Sequence, residues 1–119
     1  DEAALERMLE RARLTWEAAE IGKTPSELST GLLRFSRNPF RSDTELWFAM
    51  AESGPAVVEI FDLRGRRVRT LLDEFRRAGI HRVGWDGRDG RGSGVASGVY
   101  YVRLRTGAGT STQPVTRVR

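Results

Sequence analysis

The spacing of apolar positions changes once along the chain. Between residues 3 and 21, Leu5, Met8, Leu9, Ala12, Trp16 and Ala19 recur every three or four residues. That spacing predicts one helix with a single apolar stripe, and Gly22 supplies a C-terminal stop. Glu6 and Glu10 alternate with Arg7, Arg11 and Arg13 on the remaining positions, so the rest of the helix reads as a solvated, charge-paired face. Thr24-Pro25-Ser26-Glu27 has the order of a capping box with proline at the first helical position, which predicts one short turn through Leu28. Ser29-Thr30-Gly31 breaks it.

From Leu32 onward the period becomes two, the signature of half-buried strands. A first strand at Leu32, Leu33 and Phe35 must end before Asn38-Pro39-Phe40, because proline lacks an amide donor and restricts its predecessor. Thr44 to Ala51 sets Leu46, Phe48 and Met50 on one face. Trp47 falls on the other, as a surface aromatic covered by something else. Ala56 to Asp62 places Val58 and Ile60 opposite Val57, Glu59 and Phe61. Leu63-Arg64-Gly65-Arg66 is a tight connection to a fourth strand, Arg67 to Leu71, with Val68 inward. The charged segment 72–77 reads as a turn or a helical turn. A fifth strand runs from Gly79 to Trp85 and a sixth from Val99 to Arg105, separated by a long Asp/Gly/Arg/Ser loop. Gly107-Ala108-Gly109 permits a hairpin into a last strand at Val115 to Val118. Seven short strands at roughly ten-residue spacing, broken by Gly, Pro and Asp turns, predict a mainly β, antiparallel sandwich. The division is therefore a helical segment over residues 1–31 and a sandwich over 32–119.

Composition narrows the function classes. At 119 residues and 39% hydrophobic content, the chain supports one modest core and one appendage. Lys23 is the only lysine among 20 basic residues, set against 16 acids, and the sequence pI is about 10.6. Residues 41–119 hold 14 of the basic and 9 of the acidic groups, so the basicity belongs to the sandwich. Such a charge favours acidic partners, although an arginine-rich genome would produce it too. With no cysteine there is neither a disulfide framework nor thiolate chemistry. No apolar run reaches the length of a membrane span, and the opening Asp1-Glu2 reads as the start of a processed or excised product.

Several stretches carry a family resemblance. They are Asn38-Pro39-Phe40, Phe48, the run Ile60-Phe61-Asp62-Leu63-Arg64-Gly65-Arg66-Arg67-Val68-Arg69-Thr70-Leu71, Ala78-Gly79, His81, Trp85-Asp86-Gly87 and Ala96-Ser97-Gly98-Val99-Tyr100-Tyr101. The series resembles the immunoglobulin-like domain of bacterial flagellar hook-capping proteins and the related C-terminal modules of exported bacterial proteins, including type IX secretion sorting domains. It spans about residues 32–119, while the helix lies outside it. The resemblance implies an immunoglobulin/fibronectin-III-like sandwich with Phe48, Ile60, Val83, Trp85, Tyr100, Val102 and Leu104 facing the core. It implies no catalytic residues and no cofactor. It also implies an extracytoplasmic setting, in the periplasm or at the cell surface, and a role as structural module, anchor or sorting signal.

Candidate chemistry is sparse. Asp86-Gly87-Arg88-Asp89-Gly90-Arg91-Gly92 faintly suggests a calcium loop, but a hard cation needs six to eight oxygens. Two carboxylates beside two arginines read better as Asx-type turns. Gly90-Arg91-Gly92-Ser93-Gly94 leads into a strand and not a helix N-terminus, so it is no phosphate cradle. His81, the only histidine, cannot supply a multi-histidine metal site. On its strand it reads as a core or rim residue. The serines have no nucleophile setting. Arg64, Arg66, Arg67, Arg69, Arg76 and Arg77 could bind nucleic acid, yet the aromatic platforms such modules use are here assigned to the core. The sequence thus predicts a non-enzymatic structural or interaction module, with a secretion-sorting or cell-surface anchoring domain as the alternative. Its partner is a protein or larger complex, and any membrane association runs through that partner. The interaction candidates are Leu5, Met8, Leu9, Ala12 and Trp16 on the helix, a stripe too apolar to stay in water, together with Trp47.

Overall fold

The computed structural model describes residues 29–119, so the helix expected over 3–21 and its stripe from Leu5 to Trp16 lie outside the described residues. Seven strands follow: β1 (Gly31–Phe35), β2 (Thr44–Met50), β3 (Gly54–Phe61), β4 (Arg67–Arg76), β5 (Gly79–Trp85), β6 (Gly98–Thr106) and β7 (Gly109–Arg117). They form two antiparallel sheets, β1-β2-β5 and β4-β3-β6-β7. The inner faces meet as a sandwich. β4 stays beside β3 and does not cross to β5, which separates this topology from the constant-type immunoglobulin arrangement.

Period-two alternation on β2, β3 and β6 builds the core. Leu46, Phe48 and Met50 face Val58, Ile60, Val102 and Leu104, all buried, and partly buried Val83 packs against them. Each such side chain contributes about 1.5–3 kcal/mol through area removed from water. At one pole three aromatic rings close the sandwich. The Trp85 ring lies 5.2 Å from that of Phe40 and 5.5 Å from that of Tyr100. Their polar tips are satisfied. The Trp85 Nε1–H donates to the Arg88 carbonyl at 2.9 Å, and the Tyr100 hydroxyl donates to the Ala96 carbonyl at 2.7 Å. The latter bond is the tyrosine corner of immunoglobulin-like sandwiches.

Three segments depart from the sequence expectation. Segment 72–77 is neither turn nor helix up to Arg76, since β4 pairs with β3 along its whole length, from Phe61↔Arg67 to Gly54↔Arg76. Register shifts between Val58/Glu59 and Ile60/Phe61 interrupt the alternation there. The adjacent pair Leu71-Leu72 therefore hides the strand's period. β7 begins at Gly109, because Thr110 to Gln113 complete a ladder with β6 whatever their polarity. Phe40, expected only as part of a turn, is core. Its amide donates to the Thr116 carbonyl at 3.0 Å and its carbonyl accepts from Val118 at 2.8 Å. The Asn38 side chain ties the same loop to β7, accepting from the Thr116 amide at 2.9 Å. The Asn38-Pro39 peptide bond is cis.

Candidate interaction surface

The same alternation that sends Ile60 inward sends Val57, Glu59 and Phe61 to the outer face of the four-stranded sheet. Register then assembles a surface around them. Glu59 lies opposite Arg103 on β6 and Thr70 on β4, and Phe61 opposite Tyr101 and Arg67. Val57 lies opposite Arg105 and Asp73, and Pro55 opposite Phe75. Glu59 is only 4% exposed although it sits on an outer face. A buried carboxylate requires compensation, and three guanidinium groups cover it. Arg103 stands at 2.8 Å, Arg67 at 3.4 Å and Arg105 at 3.7 Å. The Arg103 hydrogen bond is the chief reason the Glu59 carboxyl titrates below the usual carboxylate range. Burial opposes it, while Arg67 and Arg105 add to it. Arg103 also lies over the Phe61 ring, 4.5 Å from its centroid, a cation–π contact that holds the guanidinium flat on the sheet.

Two further aromatic residues of this face are open to solvent, Phe75 at 62% and Tyr101 at 38% exposure. Past Arg67 the surface dips into a cleft of about 630 Å³ between the β3–β4 hairpin and the β5–β6 loop, lined by Arg66, Arg67, Arg69, Arg91, Asp62 and Asp89 among others. Both aspartates serve the backbone. Asp62 Oδ1 accepts the Arg64 and Arg66 amides at 2.9 Å each, and Gly65 takes φ +81° to close the hairpin. Asp89 Oδ1 accepts the Arg91 and Ser93 amides at 2.9 and 3.0 Å. The Arg66 amide on Asp62 and the Ser93 amide on Asp89 hold each carboxyl below its ordinary range. For Asp86, burial pushes upward, but the Arg88 amide and the Arg69 guanidinium, 2.5 Å away, outweigh it. These are the Asx-type turns expected of the loop. Among the described residues, no three His, Cys, Asp or Glu side chains gather in a group that could hold a metal ion.

The remaining sequence candidates scatter. Trp47 lies half-buried on the outer face of the other sheet, beneath the Arg82 guanidinium at 5.5 Å. His81 stacks on Phe48 at 5.4 Å, and its Nε2–H donates to the Arg77 carbonyl at 2.6 Å, a rim setting. No serine of the described residues is hydrogen-bonded to it. Sequence reasoning placed Glu59 and Phe61 on the outer face but missed the surface they form with Arg67, Arg103, Tyr101 and Phe75. The signal present was the single acid of β3 beside the arginines of β4 and β6; the pairing that unites them depends on register.

The fold and this surface define an immunoglobulin-like β-sandwich module. More narrowly, the chain belongs to the FlgD Ig-like domain family, whose model matches residues 40–109. Two solved structures share the fold. Dimeric latent PorU from Porphyromonas gingivalis aligns with a TM-score of 0.58 and 19% identity over 73% of this chain. PorZ of the same organism, described as an essential bacterial surface component of the type IX secretion system, aligns with a TM-score of 0.51 and 23% identity over 72%. The chain spans only 9% of the PorU chain and 11% of the PorZ chain. No curated protein matches it.

Proposed function

We propose that this chain is a non-catalytic interaction module of a larger exported or membrane-associated bacterial assembly, working in the periplasm or at the cell surface. The observation that carries the reading is one of proportion: the same fold occurs as about a tenth of much larger chains, one of them a surface component of a secretion system. Supporting it, the carboxylates Asp62, Asp86 and Asp89 are engaged in shaping their own loops, as expected of a scaffold rather than a reaction centre. The segment ahead of β1 would serve as a docking element, offering Leu5, Met8, Leu9, Ala12 and Trp16 to a partner groove at i, i+3, i+4 and i+7 spacing. The second reading is a secretion-sorting or surface-anchoring domain, favoured by the likeness to PorZ.

Two measurements on the natural gene product separate these readings. Protease accessibility of an epitope-tagged protein in intact and permeabilised cells reads location. Protection in both the intact cell and the periplasm-permeable cell would place the chain in the cytoplasm and overturn the proposal. Mass spectrometry of the mature product then reads fate. Retention of Arg119 is the outcome expected of a resident module, and removal of the sandwich that of a sorting signal.

A further inference from the structure

We propose that the outer face of the β4-β3-β6-β7 sheet, continuing through Arg67 into the adjoining cleft, receives an acidic segment of a partner protein that also carries apolar side chains. The proposal rests on the interaction-module reading and names the chemistry of its partner.

The charge of this face suits an acidic ligand. At the centre of the face three guanidiniums share one carboxylate, Glu59. Arg67 and Arg105 keep 63% and 55% of their side-chain area in solvent. A guanidinium has five N–H donors, so each retains donors for an incoming carboxylate. The basic character continues into the cleft through Arg67 and Arg91, while Arg66 is paired with Asp62 at 3.0 Å and Arg69 with Asp86 at 2.5 Å. Arg67 belongs to both regions, which makes one basic band. Residues 29–119 as a whole carry 16 basic and 9 acidic side chains, so long-range steering acts in the same direction.

The face is also preorganised. Glu59 and the Phe61 ring fix the Arg103 guanidinium before any ligand arrives, so docking orders fewer side chains and costs less entropy.

The apolar residues decide between polymers. Phe75 and Tyr101 lie beside Pro55 and Phe61, six residues apart on β3, or about 20 Å at strand rise. Phe61, opposite Tyr101, is capped by Arg103, and Val57 and Glu59 lie between the two ends, so successive nucleic-acid bases find no continuous stacking platform. Asp73 and Glu74 beside Phe75 repel any anion at that end, so an apolar side chain of the ligand, and neither a carboxylate nor a phosphate, falls on Phe75. A polypeptide that alternates carboxylates with apolar side chains meets both requirements.

The test is fluorescence anisotropy on the full chain with a labelled Glu/Leu peptide as probe, beside its Gln/Leu counterpart and a labelled oligo-dT strand. The Glu/Leu peptide is expected to bind more tightly than the other two, and more weakly as salt rises. Arg67→Gln with Arg105→Gln should weaken it about five- to tenfold, from two exposed charge contacts. Arg37→Gln with Arg82→Gln removes the same charge elsewhere and should change it no more than about twofold. Matching circular-dichroism melts certify both variants, and Arg67→Lys with Arg105→Lys, which keeps the charge, serves if the first pair melts early. Equal losses from the two variant pairs would mean unspecific attraction and overturn the site. Tighter binding of oligo-dT, lost in the face variant, would assign the face to nucleic acid. A rise in peptide affinity on Glu6→Gln with Glu10→Gln would put the chain's own N-terminal segment there, and self-association abolished by the face variant would put a second copy there. Either result overturns the partner assignment. Failure here leaves the protease-accessibility result standing, so the two readings fail separately.

Discussion

Glu59 is the one buried carboxylate among the described residues, and its protonation is an acid-sensitive event. Its folded pKa lies below the unfolded value, so the stabilisation is complete above the unfolded pKa, about 4.3, and is lost as pH falls through the folded value. Replacing Glu59 with Gln should cost about 1.5–3 kcal/mol near neutral pH, the range for hydrogen bonds to charged groups. Urea denaturation at a series of pH values checks this: the gap between wild type and variant should shrink in acid, and a pH-independent gap would refute the ion-pair account. The buried aromatic rings behave differently. Trp85→Ala, Phe48→Ala and Phe40→Ala should each destabilise by about 3–5 kcal/mol, since each empties a buried ring site. Phe40 is the informative member. It sits outside every strand, and a core-sized loss in the denaturation midpoint is expected because its backbone bonds to Thr116 and Val118 hold its ring buried against Trp85.

At the scale of elements, the β5–β6 loop is a self-contained build of turns. Asp86 and Asp89 accept amides of Arg88, Arg91 and Ser93, and the Arg117 side chain from β7 donates to the Gly87 carbonyl. Gly87 has φ +72°, and a Cβ there would run into that guanidinium, which gives the Trp85-Asp86-Gly87 sequence a steric reason. With its carboxylates occupied in this way, the loop should not bind calcium. Calorimetric titration is expected to show no saturable heat, and a chelator should leave the melting temperature unmoved. A calcium-dependent rise of several degrees would make Asp86 and Asp89 ligands after all. β4 illustrates the converse problem of an edge strand. Its charged side chains protect it from adventitious pairing, while its two bulges erase the alternation by which a strand is read.

At the scale of the whole molecule, residues 29–119 supply the core cluster among the described residues, and the proposed docking role of the N-terminal stripe carries its own test. Replacing Leu9 and Trp16 with Ala should leave thermal unfolding of the chain unchanged and abolish co-purification of the partner from the native source. A large fall in melting temperature would instead put the stripe on its own sandwich. Much of the fold was legible in the sequence: Phe48, Ile60, Val102 and Leu104 stand at period-two positions, and both boundaries of β3, β5 and β6 lie at or next to a Gly or Asp. Local chemistry alone determined these features, because alternation and turn propensity act between near neighbours in sequence. What lay beyond reach was whatever depends on which strand pairs with which, and in what register. Sequence gives no account of why Phe40 is core, since its partners, Thr116 of β7 and Val118 just past it, stand at the far end of the chain. Nor does it reveal that Glu59, Phe61, Arg67, Arg103 and Phe75 share one face, because β3 is brought between β4 and β6 only in the tertiary structure. Period-two alternation decides the face of its sheet on which a residue stands; the residues standing beside it are decided by long-range backbone pairing, which no local spacing encodes.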